Sequence, residues 1–64
     1  MIINGEEMNF AHNLNIEDIL NKLNVNKDNV VVEMDLNIIK KENYKEFYPD
    51  ESSKIEIINF VGGG

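Results

Sequence analysis

The sequence contains no cysteine. This absence excludes a disulfide framework, a thiolate zinc site and a cysteine nucleophile, and nothing indicates an oxidising compartment. The N-terminal stretch "MIINGEEMNF" also lacks a basic segment and an apolar run long enough for a signal peptide or a membrane span. We therefore expect a cytoplasmic protein.

Arginine is absent as well, and the six lysines face twelve acidic residues, for a formal net charge of −6. A chain with this balance would be repelled by phosphate backbones and by anionic lipid surfaces. We expect neither nucleic acid nor membrane as a partner. A basic protein surface is the better candidate, because complementary charge raises encounter rates and fixes orientation.

Sixty-four residues leave room for one domain, residues 1–64, near the lower limit for a core without disulfides or metal. Hydrophobic residues make up 42% of the chain, enough for one layer packed on another. The chain should therefore be globular. Five aromatic residues are available for that core: Phe10, Tyr44, Phe47, Tyr48 and Phe60.

The first elements are a hairpin and a helix. Asn4-Gly5 lies between two short apolar stretches and is a strong signal for a type I′ turn, with Met8 and Phe10 of the second strand facing the core. Apolar residues then recur at helical spacing, which predicts a helix of about three turns. Asn15 is its expected N-cap, and it should end near Asn24. The apolar stripe comprises Ile16, Ile19, Leu20 and Leu23.

The second half of the chain predicts three further strands. The stretch "NVVVEMDL" is rich in β-branched residues, a turn near Asp35 leads to the short pair Ile38-Ile39, and "KIEIINFV" forms the last strand. Between them, a helical turn or loop ends at Pro49, from which Tyr44 and Phe47 could close the core.

This order of elements predicts an α+β fold of the ubiquitin-like β-grasp type, a mixed sheet packed on one main helix. In that arrangement the first and last strands lie parallel at the centre of the sheet. The last strand should then be well buried before the chain leaves it.

No catalytic constellation is present. The single histidine, His12, has no neighbouring metal-ligand pattern, and turn chemistry explains Ser52-Ser53 beside acidic residues better than a nucleophile does. No glycine-rich loop precedes a helix, so we expect this chain to bind no nucleotide cofactor and no metal. The sequence indicates a protein that is not an enzyme.

Three of the four glycines are Gly62, Gly63 and Gly64, at the end of "INFVGGG". Glycine costs more backbone entropy to order than any other residue, so these residues do not stabilise the fold. One interpretation is a frayed terminus without function. The other is a flexible tail without side chains that enters a narrow cleft of another protein and presents the Gly64 carboxylate there. That carboxylate would be an anion at neutral pH and could attack an electrophile such as the α-phosphate of ATP.

The whole chain resembles the ThiS family, the sulfur carrier proteins of thiamine biosynthesis. The similarity lies in the Asn4-Gly5 opening, in "NIEDILNKL" at the family's first helix, in "VVVEMDLNIIKKENY" at its middle strands and above all in "IEIINFVGGG". Family members often have glycine in the turns near Asp35-Leu36 and Glu51-Ser52-Ser53 and Pro-Arg near Lys40-Lys41, and this chain does not. The departures put the loop conformations in doubt and leave the tail intact.

The resemblance implies a protein co-substrate. A ThiF-like adenylating enzyme, using its own ATP and magnesium, would convert the Gly64 carboxylate to an acyl-adenylate. Sulfur from a cysteine desulfurase would then yield a thiocarboxylate, which donates its sulfur to thiazole synthase (ThiG-like). The alternatives are a carrier for another pathway such as molybdopterin synthesis, a ubiquitin-like modifier, and a β-grasp binding module in which the glycines are incidental.

The residues before the glycines have two interpretations. They are either ordinary residues of the sheet or part of a docking surface. Ile58 and Phe60 lie on the strand face opposite Ile55 and Ile57, which should cover the helix. An exposed apolar patch beside a flexible tail would suit docking, so we expect Ile58, Phe60 and Val61 to contact the adenylating enzyme.

Overall fold

The computed structural model describes residues 1–10 and 13–60. Five strands form one mixed sheet in the order β2-β1-β5-β3-β4, and one α-helix packs on one of its faces. The elements are β1 (Ile2–Ile3), β2 (Glu6–Glu7), α1 (Ile16–Lys22), a 3₁₀ helix (Lys27–Asn29), β3 (Val30–Met34), β4 (Asn37–Ile39), a second 3₁₀ helix (Lys41–Asn43) and β5 (Lys54–Asn59).

The β1–β2 hairpin turns at Asn4-Gly5, as predicted, with φ of 52° and 81° at the two positions. Its second strand is shorter than expected, because the ladder ends at Glu7. The amide of Met8 still donates to the carbonyl of Met1 at 2.8 Å. Met8 and Phe10 are partly buried against the core. The prediction that these two side chains face the core is confirmed, and the predicted length of the strand was wrong.

Helix α1 begins at a capping box. The Asn15 side chain accepts from the amide of Asp18 at 2.7 Å, and the Asp18 carboxylate accepts from the amide of Asn15 at 3.2 Å. The helix ends at Lys22, and Asn24 follows with φ of 57°. The N-cap is confirmed. At seven residues, or about two turns, the helix is shorter than the three turns expected.

The buried core lies between α1 and the sheet. Tyr44 is 2% exposed, so the prediction that it closes the core is confirmed. The same prediction for Phe47 is wrong, since that residue is 37% exposed. Its carbonyl accepts from the amide of Ile16 at 3.0 Å, so its segment is held at the start of the helix by the backbone. The buried hydrophobic residues are Met1, Ile3, Ile16, Ile19, Leu20, Val30, Val32, Ile39, Tyr44 and Ile55.

Strand β5 lies at the sheet centre and parallel to β1, as predicted, and its other neighbour is the antiparallel strand β3. Burial falls off along β5 on both faces: Ile55 is buried and Ile57 only partly buried on the core face, and Glu56 is partly buried and Ile58 exposed on the other. The expectation of a well-buried last strand is therefore wrong for its second half. The reason is geometric, since β1 ends at Ile3 and the helix covers one face of the sheet.

Candidate functional site

The second half of β5 presents apolar side chains on the face that points away from α1. Ile55 and Ile57 face the core, while Ile58 and Phe60 point to the other side, 48% and 59% exposed. This alternation follows from the two-residue period of a strand. The predicted division of the strand into a core face and an exposed apolar face is what the structure has.

Backbone hydrogen bonds position the strand up to Phe60. The Phe60 amide donates to the carbonyl of Asn29 at 3.0 Å, one residue before β3 begins. On the other edge, the Asn4 side chain accepts from the Ile57 amide at 2.7 Å, where β1 no longer supplies a carbonyl. Hydrogen bonds thus hold the strand at both edges, at Ile57 on one side and at Phe60 on the other. Val61, Gly62, Gly63 and Gly64, four of the predicted site residues, lie outside the described residues.

Two further apolar residues share the exposed face. Val31 lies directly opposite Ile58 on β3, and Ile38 on β4 is 69% exposed. Sequence reasoning did not assign either residue to the site. The signal was available, because both alternate with buried neighbours, Val32 and Ile39.

Lysines cluster on the helix side of the molecule. Glu17 accepts from Lys27 at 2.6 Å and lies 3.7 Å from Lys45, and Asp28 accepts from Lys41 at 2.7 Å. Glu17 and the three lysines line a cleft of about 440 Å³, together with Glu42. The hydrogen bond from Lys27 lowers the pKa of Glu17. Carboxylates therefore neutralise the positive charge of this cleft.

Ser52 and Ser53 build the turn before β5. The Asp50 carboxylate accepts from the Ser52 hydroxyl at 2.6 Å and from the Ser52 amide at 2.8 Å. The Ser53 hydroxyl accepts from the Asp50 amide at 2.9 Å. The two bonds from Ser52 to this carboxylate, that of the hydroxyl first, lower the pKa of Asp50. The interpretation of these serines as turn residues is confirmed.

Residues 1–10 and 13–60 contain neither a metal-binding cluster nor a helix able to span a membrane. Within these ranges no group of three or more His, Cys, Asp or Glu side chains is arranged to hold a metal ion. No helix in the same part of the chain has the length and apolar character needed to cross a membrane. His12 lies outside the described residues.

Comparison with known proteins identifies the family. The model of the ThiS family matches residues 1–64. The chain belongs to the ThiS family. It is 35% identical over 63 residues to the sulfur carrier protein ThiS of Bacillus subtilis (strain 168), a match that covers 97% of this chain and 96% of that protein.

Two other relatives extend this result. The crystal structure of the thiamine biosynthesis protein ThiS from Geobacter metallireducens superposes with a TM-score of 0.79 at 26% identity, covering 98% of this ThiS-family chain and 96% of that one. The ubiquitin-like β-grasp fold is thereby confirmed. A thiazole synthase of Paramagnetospirillum magneticum is 39% identical over 64 residues. That match includes all of this chain and 20% of the longer protein.

Proposed function

We propose that this ThiS-family protein is the sulfur carrier of thiamine (thiazole) biosynthesis and that the α-carboxylate of Gly64 carries the sulfur. The observation that supports this most is the family match, which extends through "VGGG" to residue 64. Beside it stands the exposed apolar pair Ile58 and Phe60, at the end of the central strand and directly before those residues. A side-chain-free tail next to an apolar patch is what delivery of a chain end into another protein requires.

The first chemical step is adenylation by a ThiF-like enzyme. An oxygen of the Gly64 carboxylate attacks the α-phosphorus of ATP, and the bond from that phosphorus to pyrophosphate breaks. The products are an acyl-adenylate and pyrophosphate. The step makes the carbonyl carbon reactive, because AMP is a good leaving group and a free carboxylate oxygen is not.

The second step exchanges oxygen for sulfur. A cysteine desulfurase takes sulfur from cysteine as an enzyme persulfide, and thiols such as cysteine reduce this persulfide to hydrosulfide while they are oxidised to a disulfide. The hydrosulfide attacks the acyl-adenylate carbon, and AMP leaves with the original carboxylate oxygen. The product is a thiocarboxylate on Gly64. In this proposal the chain is a co-substrate without catalytic residues, and ATP and magnesium are bound by the adenylating enzyme.

Thiazole synthase is the proposed acceptor of the sulfur. The support comes from the thiazole synthase of P. magneticum. About 20% of that protein matches this chain, and the match includes all 64 residues of this chain. A carrier and its acceptor act in sequence, so a carrier-like segment within a thiazole synthase is consistent with a direct transfer between them.

Intact mass spectrometry tests the proposal. We expect that incubation with ATP, magnesium and a ThiF-like enzyme adds one AMP to the protein. After a cysteine desulfurase and cysteine are supplied, the mass should exceed that of the starting protein by one oxygen-to-sulfur exchange, and fragmentation should locate it at Gly64. Subsequent addition of thiazole synthase and its other substrates should return the mass to its starting value.

A variant that lacks Gly64 is the matched control. It should fold with the same unfolding midpoint, because the last residue adds little packing, and it should not transfer sulfur. A wild-type mass that stays unchanged through both incubations would exclude the carrier function. Full sulfur transfer by the truncated variant would exclude Gly64 as the site.

A further inference from the structure

The face of the sheet that points away from α1, called the outer face below, holds two carboxylates opposite each other. Glu33 on β3 pairs directly with Glu56 on β5 in the antiparallel ladder. Directly opposed residues on neighbouring strands bring their Cβ atoms to about 5 Å, and like charges in such a pair are destabilising. Both residues are partly buried, so water screens them less than it screens fully exposed charges.

Neither carboxylate has a cation as partner within the described residues. Glu7, Glu17 and Asp28 do take part in ion pairs, with the N-terminal amine or with lysines. Lys54 precedes Glu56 by two residues and shares the outer face, yet the ion pairs of the described part include no contact from it to either glutamate. Three of the six lysines are engaged on the helix side instead.

Apolar side chains surround this glutamate pair. Ile38 lies opposite Glu33 on the far side from Glu56, and Val31 and Ile58 form the next cross-strand pair along the same two strands. Ile38 and Ile58 are 69% and 48% exposed. The outer face therefore combines two negative charges, uncompensated within the described residues, with exposed apolar side chains, and both features favour docking of a basic protein surface.

We propose that the outer face docks the adenylating enzyme and that a basic side chain of that enzyme lies between Glu33 and Glu56. The proposal rests on the carrier function above for the identity of the partner. An arginine suits the position best, because its planar guanidinium donates to two carboxylates at once. A second copy of this chain does not suit it, because the same face carries the same negative charge and the net charge is −6.

In the free protein the two charges of the glutamate pair repel each other, whereas in the complex the pair attracts the basic side chain. Removing the charges of the pair should weaken docking and at the same time leave the fold equally stable or more stable. A merely structural role for the two glutamates would move both properties in the same direction. The two readouts together therefore separate recognition from folding.

The test compares the wild type with the double variant Glu33→Gln/Glu56→Gln as substrates of the ThiF-like enzyme. The rate of adenylation is measured by ATP–pyrophosphate exchange. We expect its KM for the carrier to rise about tenfold at low salt with kcat little changed, as for a lost charge pair in an interface. The thermal unfolding midpoint should equal or exceed that of the wild type. Added salt should raise the KM of the wild type more than that of the variant.

The control variant Glu46→Gln/Glu51→Gln removes two negative charges from exposed residues outside the sheet. Its KM should stay close to that of the wild type. An unchanged KM for the Glu33→Gln/Glu56→Gln variant, or an equal rise in the control, would overturn the proposal, since net charge alone would then explain docking. Failure of the wild type to be adenylated would instead overturn the carrier function.

Discussion

Leu36 has a backbone conformation that favours glycine. Its φ is 72°, that of the preceding Asp35 is 52°, and the leucine side chain is 88% exposed. A two-residue hairpin turn of this kind needs positive φ at both positions. For a residue with a Cβ this costs roughly 1–2 kcal/mol, and an exposed side chain offsets little of it by packing. The family's frequent glycine near this turn has a physical reason, and its absence here leaves a strained leucine.

Leu36→Gly should therefore stabilise the protein by about 1 kcal/mol, the relief of strain less the entropy that glycine loses on folding. Urea unfolding measures the change. Gly5→Ala is the complementary variant: Gly5 has φ of 81° and no atom within 4 Å of an added Cβ, so its cost is one of backbone conformation alone. It should lower the free energy of unfolding by about 1 kcal/mol. A lower unfolding midpoint for Leu36→Gly would contradict the strain argument.

Phe60 combines high exposure with a place directly before the tail. Because it is 59% exposed, Phe60→Ala should leave the free energy of unfolding nearly unchanged. In the proposed interface the Phe60 ring is an aromatic anchor, so this substitution should raise the KM for adenylation about tenfold. Tyr48→Ala is the matched control, since Tyr48 is also 59% exposed but lies before β5, whereas Phe60 directly follows that strand. Equal KM values for wild type and Phe60→Ala would exclude this residue from docking.

At the scale of elements, ion pairs join α1 to the two 3₁₀ helices. Glu17 in the first turn of α1 contacts Lys27 of the first 3₁₀ helix, and Asp28 of that helix contacts Lys41 of the second. The hydrogen bond from Lys41 lowers the pKa of Asp28, as that from Lys27 lowers the pKa of Glu17. These contacts hold the two 3₁₀ helices, neither of which contributes a buried residue, to each other and to α1.

The pH dependence of stability follows from these shifts. A carboxylate with a lowered pKa in the folded state adds stability above its unfolded pKa, near 4.5 for Glu17, and loses it as the pH falls through the folded value. The difference in unfolding midpoint between wild type and Glu17→Gln should therefore shrink as the pH falls from about 6 to about 3. Glu42→Gln, in the same cleft, serves as the control. A difference that stays constant over this range would contradict the assignment.

The elements themselves follow from local patterns to a large extent. The cap at Asn15, the turn at Asn4-Gly5 and the strand around Val32 each depend on residues close in the chain, and all three were predictable. The length of β2 was not, because a strand extends only as far as its neighbour pairs with it, and β1 ends after two residues. The exposure of Phe47 was not predictable either, because the segment meets the helix start through its backbone and, of the two aromatic side chains, the fold buries that of Tyr44.

At the scale of the whole molecule, the lysine–carboxylate ion pairs of the described residues and the two glutamates without a cationic partner there occupy different sides. Lys27, Lys41 and Lys45 lie around a cleft on the helix side, each within reach of a carboxylate. The outer face of the sheet has the unpaired glutamates Glu33 and Glu56 among apolar residues. Composition indicated a basic partner, and the proposed docking would place that partner on the outer face.

The sequence by itself determined the order of elements, the helix cap, the first turn, the alternation along β5 and the glycine tail, because each is encoded by residues a few positions apart. The tertiary structure decided which residues oppose each other across strands. Asn4 reaches Ile57 over 53 positions, and Glu33 meets Glu56 through the register of β3 and β5. Such contacts depend on how the sheet assembles around one helix, and no local pattern in the chain records that register.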